Sequence, residues 1–338
     1  MSAVTIKEVA QLAGVSPSTV SRVISNNPKI SSTTRKRVRE AMIQLDYHPN
    51  IMAKSLVSKS TQTIGLVLPY SSDNLFINPF FSEVLRGMLA YANNKNYDLL
   101  LSSARNQSEE LEAINRMVLG RRVDGVVLMS PNRDDRIVEK LMEYNFPFVL
   151  LGRSLEYPEV LSVNNDNIKA SFDLTNFLLS QGHHKIGIVT GKPELVVSID
   201  RLQGFKNALQ KAGCVLNPDW IISAEMLEQN GYHTISMVMN AEDSPTAILV
   251  IDDVIAISLI RELVEAGFQI PRDISIVGFN NIYMSEMSNP PITTVDVGIY
   301  QLGYQTVQHL IRKLSGKEQN LPTQVIVPHR LIIRESTK

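Results

Sequence analysis

Cysteine is nearly missing: Cys214 is the only one in 338 residues. No internal disulfide framework can form, as expected of a reducing compartment. Its setting, "KAGCVLNPDW", reads as a helix-to-strand junction where a thiol packs rather than reacts. Long apolar runs are also lacking. No stretch approaches the ~18 residues of a membrane-spanning helix, and no signal peptide precedes the first amphipathic segment. The expectation is a soluble cytoplasmic protein with no membrane partner. Signatures of catalysis are equally thin. No Gly-x-Gly-x-x-Gly follows a strand-like segment, and "GIVTGKP" has one residue too few between its glycines and Pro193 where a phosphate loop needs Ser or Thr. His183 and His184 are sequence neighbours that point apart, a poor metal pair better read as surface residues ahead of a strand. No Ser-His-Asp arrangement stands out. These absences argue against an enzyme and against a cofactor or metal.

Net charge is nearly absent as well, at −1, but it is unevenly spread. Residues 1–60 hold nine Lys or Arg against three acids, an excess of six, so the other 278 residues carry −7. A basic head on an acidic body is the pattern of a phosphate-binding module. With 44% hydrophobic content the chain is long enough for more than one core.

The head has a specific pattern. In "TIKEVAQLA", Ile6, Val9, Ala10 and Ala13 form one apolar helical stripe, which Gly14 ends. Ser16 suits an N-cap and Pro17 a first helical turn. In the helix that follows, Val20, Val23 and Ile24 face inward, leaving Pro17, Ser18, Ser21 and Arg22 outward. That is a helix-turn-helix whose second helix can lie in a major groove; the bland alternative is a solvated helical bundle. "SSTTRKRVREAMIQLDY" supplies a third helix with Val38, Ala41, Met42 and Leu45 on one side, ended by His48-Pro49. "NIMAKSLVSKSTQT" is helix-compatible but too short and polar to be stable alone, so it reads equally as a linker or a conditional helix.

From Thr63 the pattern becomes alternating strand and helix. "TIGLVLP", "YDLLLSS", "DGVVLMS" and "FPFVLLG" are strands with helices between them, and the series then restarts. "HKIGIVTG" echoes the first, "TAILVID" the third and "DISIVGFN" the fourth. Such repetition means parallel sheets covered on both faces, in two similar lobes across a cleft. Ligands bind such folds at the carboxyl ends of strands. There the sequence places Arg153 and Ser154, then Asn165, Asp166 and Asn167, with Asp252 and Asp253, and Asn280 and Asn281, following later strands. Arg, Asp and Asn can each bridge adjacent hydroxyls of a neutral sugar. Their alternative role is helix capping. Tyr70, Phe76, Phe80 and Phe81 are rings placed to stack on a sugar or to fill core.

"VTIKEVAQLAGVSPSTVSRVISN", "KRVREAMIQLDYHPN", "AKSL", "RLQGF" and "DISIVGFN" occur in an order that resembles the LacI/GalR family of bacterial transcription regulators over nearly the whole chain. Within it, "QTIGLVLPYSSDNLFINPFFSEVLRGM", "RRVDGVVLMS", "FPFVLLGRSL" and "NNDNIKASFDLT" resemble the maltose-operon repressors of Gram-positive bacteria. The resemblance implies an α/β protein with an all-α helix-turn-helix headpiece at 1–49 and a hinge helix or linker at 50–62. The effector-binding and dimerisation core would occupy 63–338, as two doubly wound parallel-sheet lobes of periplasmic-binding-protein type. The N-lobe would span about 63–163 and 292–322, and the C-lobe about 164–291 and 323–338.

It further implies a homodimer on pseudo-palindromic operator DNA, relieved by a sugar effector such as maltose or a maltodextrin. Thr5, Ser16, Ser21, Ser31, Thr34, Tyr47 and Asn50 would mostly hold phosphates, while Pro17, Ser18 and Arg22, with Thr19 on the same helix, meet the groove. The lactose repressor of this family carries larger polar residues in place of Pro17 and Ser18, so this operator should differ from that one. In the hinge, Leu56 would wedge between base pairs, beside Ala53 and Lys54. Effector contacts would come from Tyr70, Phe81, Arg153, Asp166, Arg201, Asp252 and Asn280. Many relatives have Asp where Asn280 stands, which lowers the charge of this pocket. The alternatives are a regulator answering another sugar or a co-repressor, and, outside regulation, a cytosolic sugar-binding protein or an enzyme. A protein co-regulator of the catabolite-control kind is discounted, because Gln308 replaces one of the arginines it would use.

Overall fold

Three capped helices build the N-terminal part of the chain. The computed structural model describes all residues except 1–3, 26, 49–59, 70–76, 130–131, 134, 240–242 and 317–321, together with the side chains at 69, 230, 232–234, 236 and 237. It divides into two units, Met1–Gln62 and Thr63–Lys338. The expected contacts Asn50, Ala53, Lys54 and Leu56 of the hinge, and the rings of Tyr70 and Phe76, lie outside the described residues.

In the first unit, α1 (Ile6–Leu12) is closed at its start by Thr5, whose backbone N and Oγ1 donate to Glu8 Oε2 at 2.7 and 2.9 Å. Gly14 takes the left-handed conformation (φ +62°) that ends the helix and turns the chain into α2 (Pro17–Ile24). Ser16 Oγ accepts from Thr19 N at 3.2 Å to start α2, and Ser31 Oγ accepts from Thr34 N at 3.2 Å to start α3 (Ser32–Gln44). Val9, Ala10, Ala13, Val20, Val23, Val38 and Ala41 form the core between them. These are small side chains, each contributing at most about 1.5–3 kcal/mol on full burial, so the caps matter to a unit this size.

The second unit holds two six-stranded sheets. The first half of the chain gives β1 (Thr63–Pro69), α4 (Pro79–Asn94), β2 (Asp98–Ala104), α5 (Gln107–Val118), β3 (Gly125–Met129), α6 (Arg136–Glu143), β4 (Phe148–Leu151) and β5 (Ser162–Asn164). The second half gives α7 (Asn167–Ser180), β6 (Ile186–Thr190), α8 (Val196–Lys211), β7 (Ile221–Ser223), α9 (Ala224–Met239), β8 (Ala247–Val250), α10 (Asp253–Glu265), β9 (Ser275–Asn280), α11 (Tyr283–Met287) and β10 (Thr293–Asp296). The chain finishes with α12 (Ile299–Ser315), β11 (Gln324–Ile326) and β12 (Arg330–Ile332).

The sheets run β11-β5-β4-β3-β1-β2 and β12-β10-β9-β8-β6-β7. Every pairing is parallel except β10 with β12. The echo heard in the sequence is therefore topological: β1, β3 and β4 hold the same places in one sheet as β6, β8 and β9 in the other. The α/β class with two doubly wound lobes follows. Central strands such as β3, β4 and β8 are buried along their whole length, as layers covered on both faces require.

The chain passes between lobes three times, at Asn165, Val297 and Val327. Asn165 joins them: its Nδ2 donates to Val297 O at 2.8 Å and Val327 O at 2.9 Å. The later two passages fall some five residues beyond the expected boundaries of 292 and 322. β10 still pairs with β9 in the C-lobe, and β11 pairs with β5 in the N-lobe. Both are short segments whose sheet is decided by available strand edges, which local pattern does not reveal.

Candidate nucleic-acid interface and ligand cleft

On the first unit, α2 exposes Pro17, Ser18 and Arg22, with Thr19 and Ser21 half-buried. Of the hydroxyls expected to hold phosphate, those of Thr5, Ser16, Ser31 and Thr34 are already engaged locally. Ser16 Oγ shares hydrogen bonds with Ser18 Oγ (2.8 Å) and Thr19 Oγ1 (2.9 Å), and Ser31 Oγ with Thr34 Oγ1 (2.8 Å). Thr5, Ser16 and Ser31 each stand at a helix N-terminus, where unpaired backbone N–H groups favour an anion. Tyr47 packs half-buried against the small core. Arg35 is structural: its guanidinium donates to Asn27 O at 3.1 Å and fixes the loop ahead of α3. Lys7, Arg22, Lys29, Lys36 and Arg37 are exposed.

In the second unit a cleft of about 940 Å³ lies at the carboxyl ends of the strands. Arg201, on α8, is its deepest cation, 6% exposed. Its guanidinium donates to Asn167 Oδ1 (3.0 Å), to Ile251 O, and more loosely to Asn280 Oδ1 (3.5 Å), and it lies 4.1 Å over the Phe279 ring. Burial lowers its pKa to about 10, so it stays charged at neutral pH. Asp252 follows β8 and caps α10 through Val254 N (2.8 Å); its Oδ2 accepts from Asn280 Nδ2 (2.9 Å) and from Asn78 Nδ2 (3.2 Å). Burial pushes the Asp252 carboxyl up. Asn280 closes β9 with φ +104°, a left-handed backbone that turns its amide into the cleft wall.

Two links cross from the N-lobe. Asn78 reaches Asp252, and Arg153 grips the buried Asp200 of α8 with Nε–Oδ2 at 2.8 Å and Nη2–Oδ1 at 2.5 Å. The Asp200 carboxylate raises the Arg153 pKa. Phe81, Arg153, Arg201, Asp252 and Asn280 of the expected effector set thus line one cavity. Asp166 does not: it is exposed and caps α7 through Lys169 N at 2.9 Å, standing at the N-cap position of the helix that starts at Asn167. Asp253 is a packing group, fully buried between Thr294 Oγ1 (2.7 Å) and Ile282 N (3.1 Å). His183 is likewise not a surface residue; it is buried, with Nδ1 2.9 Å from Thr246 Oγ1. Sequence reasoning missed Asn78 and Asp200. The first had a signal, since Asn followed by Pro79 marks a helix start at a strand-end loop. The second had none, being one more acid on a helix.

Residues 5–50 match the family model "Bacterial regulatory proteins, lacI family", and residues 175–337 match "Periplasmic binding protein-like domain". The HTH-type transcriptional regulator MalR of Streptococcus pneumoniae serotype 4 (strain ATCC BAA-334 / TIGR4) is 36% identical over 335 residues, covering 97% of this chain and 99% of that one. The chain belongs to the lacI family of bacterial regulatory proteins. Among solved lacI-family structures, the Lac repressor dimer bound to operator and the anti-inducer ONPF matches with a TM-score of 0.86 and 25% identity, over 99% of both chains. A complex of the transcriptional regulator CelR with cellobiose matches with a TM-score of 0.76 and 29% identity, over 98% of this chain and 99% of that one. The chain is a transcriptional repressor of this family, as its head motif and paired lobes imply. Among the described residues no helix is long and apolar enough to cross a membrane.

Proposed function

We propose that this repressor is a homodimer that reads a pseudo-palindromic operator and is released by a neutral sugar, maltose or a maltodextrin. The reading rests on the buried Arg201–Asn167–Asn280–Asp252 set, which offers charged and amide groups to hydroxyls at the carboxyl ends of β8 and β9. In the head, residues 1–49, Arg22 reads guanine O6/N7 while Pro17 and Ser18 make the lesser groove contacts, with Thr19 beside them. Thr5, Ser16, Ser21, Ser31, Thr34 and Tyr47 set register on phosphates, three of them by presenting helix N-termini. Residues 50–62 act as the hinge. A sugar favouring one lobe arrangement shifts the population competent for operator. Similarity to MalR and to the cellobiose-bound CelR supports a sugar as the input, and the matched relatives are regulators, so no catalysis is assigned.

The test is a titration of operator-bound protein with maltose, maltotriose and unrelated sugars. Release by maltose or maltotriose alone is the expected result. Release by another sugar would discard maltose and keep the mechanism, whereas tightening would make the ligand a co-repressor. Failure to bind upstream promoter DNA even at low salt would overturn the whole reading.

A further inference from the structure

The cleft is larger than its inner polar set requires. At about 940 Å³ it stands at the top of the ~300–1,000 Å³ range of small-molecule sites. It runs along the ends of β9, β8, β6 and β7, which are consecutive neighbours in the second sheet. Asn280 closes β9, Asp252 follows β8, Gly191 follows β6 and Ser223 closes β7, and all four line the same cavity. Three inter-strand steps of about 4.8 Å make a track roughly 14 Å long. A pyranose unit advances a linear chain by about one such step. The Arg201–Asn280–Asp252 set occupies only the β9–β8 end. At the β6–β7 end the wall is Glu194 and the first turns of α9, where Glu225, Glu228 and Gln229 face the cavity and Gln229 Nε2 donates to Glu225 Oε1 at 3.1 Å.

An unspent polar group lies at that end. Ser198, in the first turn of α8, lines the cavity and is 4% exposed, yet its Oγ has no hydrogen-bond partner among the described residues. Gly191 leaves it space, since a Cβ there would stand 2.8 Å from Ser198 Oγ. A buried hydroxyl without a partner beside a ligand cavity is an available contact. The charge of the lining narrows the ligand further. Arg153 and Asp200 neutralise one another, and Glu194, Glu225, Glu228 and Asp252 outnumber the remaining cations Lys192 and Arg201 by two.

We propose that the β6–β7 end of the cleft is an outer subsite for the further units of a linear, neutral oligosaccharide. Ser198, Glu225, Glu228 and Gln229 bind its hydroxyls, and the carboxylates repel sugar phosphates. The proposal rests on the sugar-effector reading above and adds to it the place in the cleft and the residues that take the sugar units beyond the inner polar set.

The experiment is calorimetric titration of the full chain with linear 1,4-linked glucose oligomers of one to four units, in α and β linkage, and with glucose 6-phosphate. In the linkage series that binds, affinity should rise at least about ten-fold from two units to three, the scale of one added set of hydroxyl contacts. Glucose 6-phosphate should not bind. Glu225→Ala/Glu228→Ala, at exposed positions, and separately Ser198→Ala should bring the three-to-two-unit affinity ratio close to one; sugar-free operator binding and thermal melting report whether the variants fold. Equal affinity for two and three units, or an unchanged ratio in the folded double variant, removes the outer subsite and leaves the sugar reading standing. Tight binding of glucose 6-phosphate overturns the charge argument. Failure of every oligomer both to bind and to release operator overturns the sugar reading and the subsite together.

Discussion

Arg201 and Arg22 are both arginines on short-range helical patterns, and their surroundings separate them completely. Arg22 is exposed on α2, where a guanidinium is available to a base edge. Arg22→Ala should cost about 1–3 kcal/mol of specific operator affinity and far less on non-specific DNA. Lys36, exposed and only 3.9 Å from Glu40, is a phosphate candidate. Lys36→Ala should weaken both kinds of binding alike and reduce the salt slope by about 1. Competition binding across a salt series checks the pair, and equal losses on both DNAs from Arg22→Ala would remove its reading role. Asp253 gives a residue-scale pH effect. Burial pushes its carboxyl up to about 7, against about 4 in the unfolded chain. Between those values the folded protein keeps a proton that the unfolded chain has released, so this group's contribution to stability falls as pH rises from about 4 to 7. Relative to Asp253→Asn, the parent protein should gain stability on going from pH 7 to pH 5 in urea melts; a constant difference would contradict the shift. Buried His183, whose pKa is lowered, acts oppositely below its ordinary value but is common to both proteins.

At the scale of elements, glycines decide how closely helices approach. Gly87 of α4 and Gly303 of α12 face one another's backbones: a Cβ at Gly303 would lie 2.0 Å from Val84 O, and one at Gly87 2.1 Å from Tyr300 O. The lobe core behind them needs this approach, so Gly303→Ala should destabilise by about 1–3 kcal/mol or more, as overpacking does. Chemical denaturation reads this directly. Gly204 in "RLQGF" has the same role between α8 and α7, with its Cβ site 2.1 Å from Ile168 O. That packing, one turn from Arg201, holds the arginine's helix at the cleft. The elements themselves were legible, because caps, apolar periods and strand runs are local signals: Ser16, Pro17 and Ser31 start their helices as the sequence indicates. The sheet assignments of β10 and β11 were not, since three- and four-residue strands carry no pattern of their own.

Over the whole molecule, the body is two lobes joined by three passages and one amide. Asn165 donates to a carbonyl on each of the other two passages, so all three must move together when the lobes do. Asn165→Asp would set a carboxylate against two carbonyl oxygens. A loss of about 2 kcal/mol or more is expected, together with a changed sugar concentration for operator release. Unfolding midpoints and release curves on the same preparation test this, and a variant of parental stability would show that the amide does not hold the passages. The Arg153–Asp200 and Asn78–Asp252 links add lobe-to-lobe contacts at the cleft. Exposed ion pairs contribute little, but Asp200 is only 2% exposed, and removing Arg153 would leave a buried charge without its partner.

What the sequence by itself determined is whatever depends on residues near one another along the chain. The helix-turn-helix with its caps, the basic excess of the head and the repeated strand-helix order all belong there, and Arg153, Asp252 and Asn280 follow strands where that order puts a ligand. Tertiary structure alone decided which polar groups meet. Asp166 and Asp252 both follow a strand and both cap a helix, yet one is left in water and the other is buried against Asn78 and Asn280. Arg201 would face solvent on an isolated helix, and it is buried because α8 packs it against Asn167, Ile251 and Asn280, each more than 30 residues away in sequence. Burial and charge pairing are set by long-range contacts, and no local pattern encodes the partner on the other side.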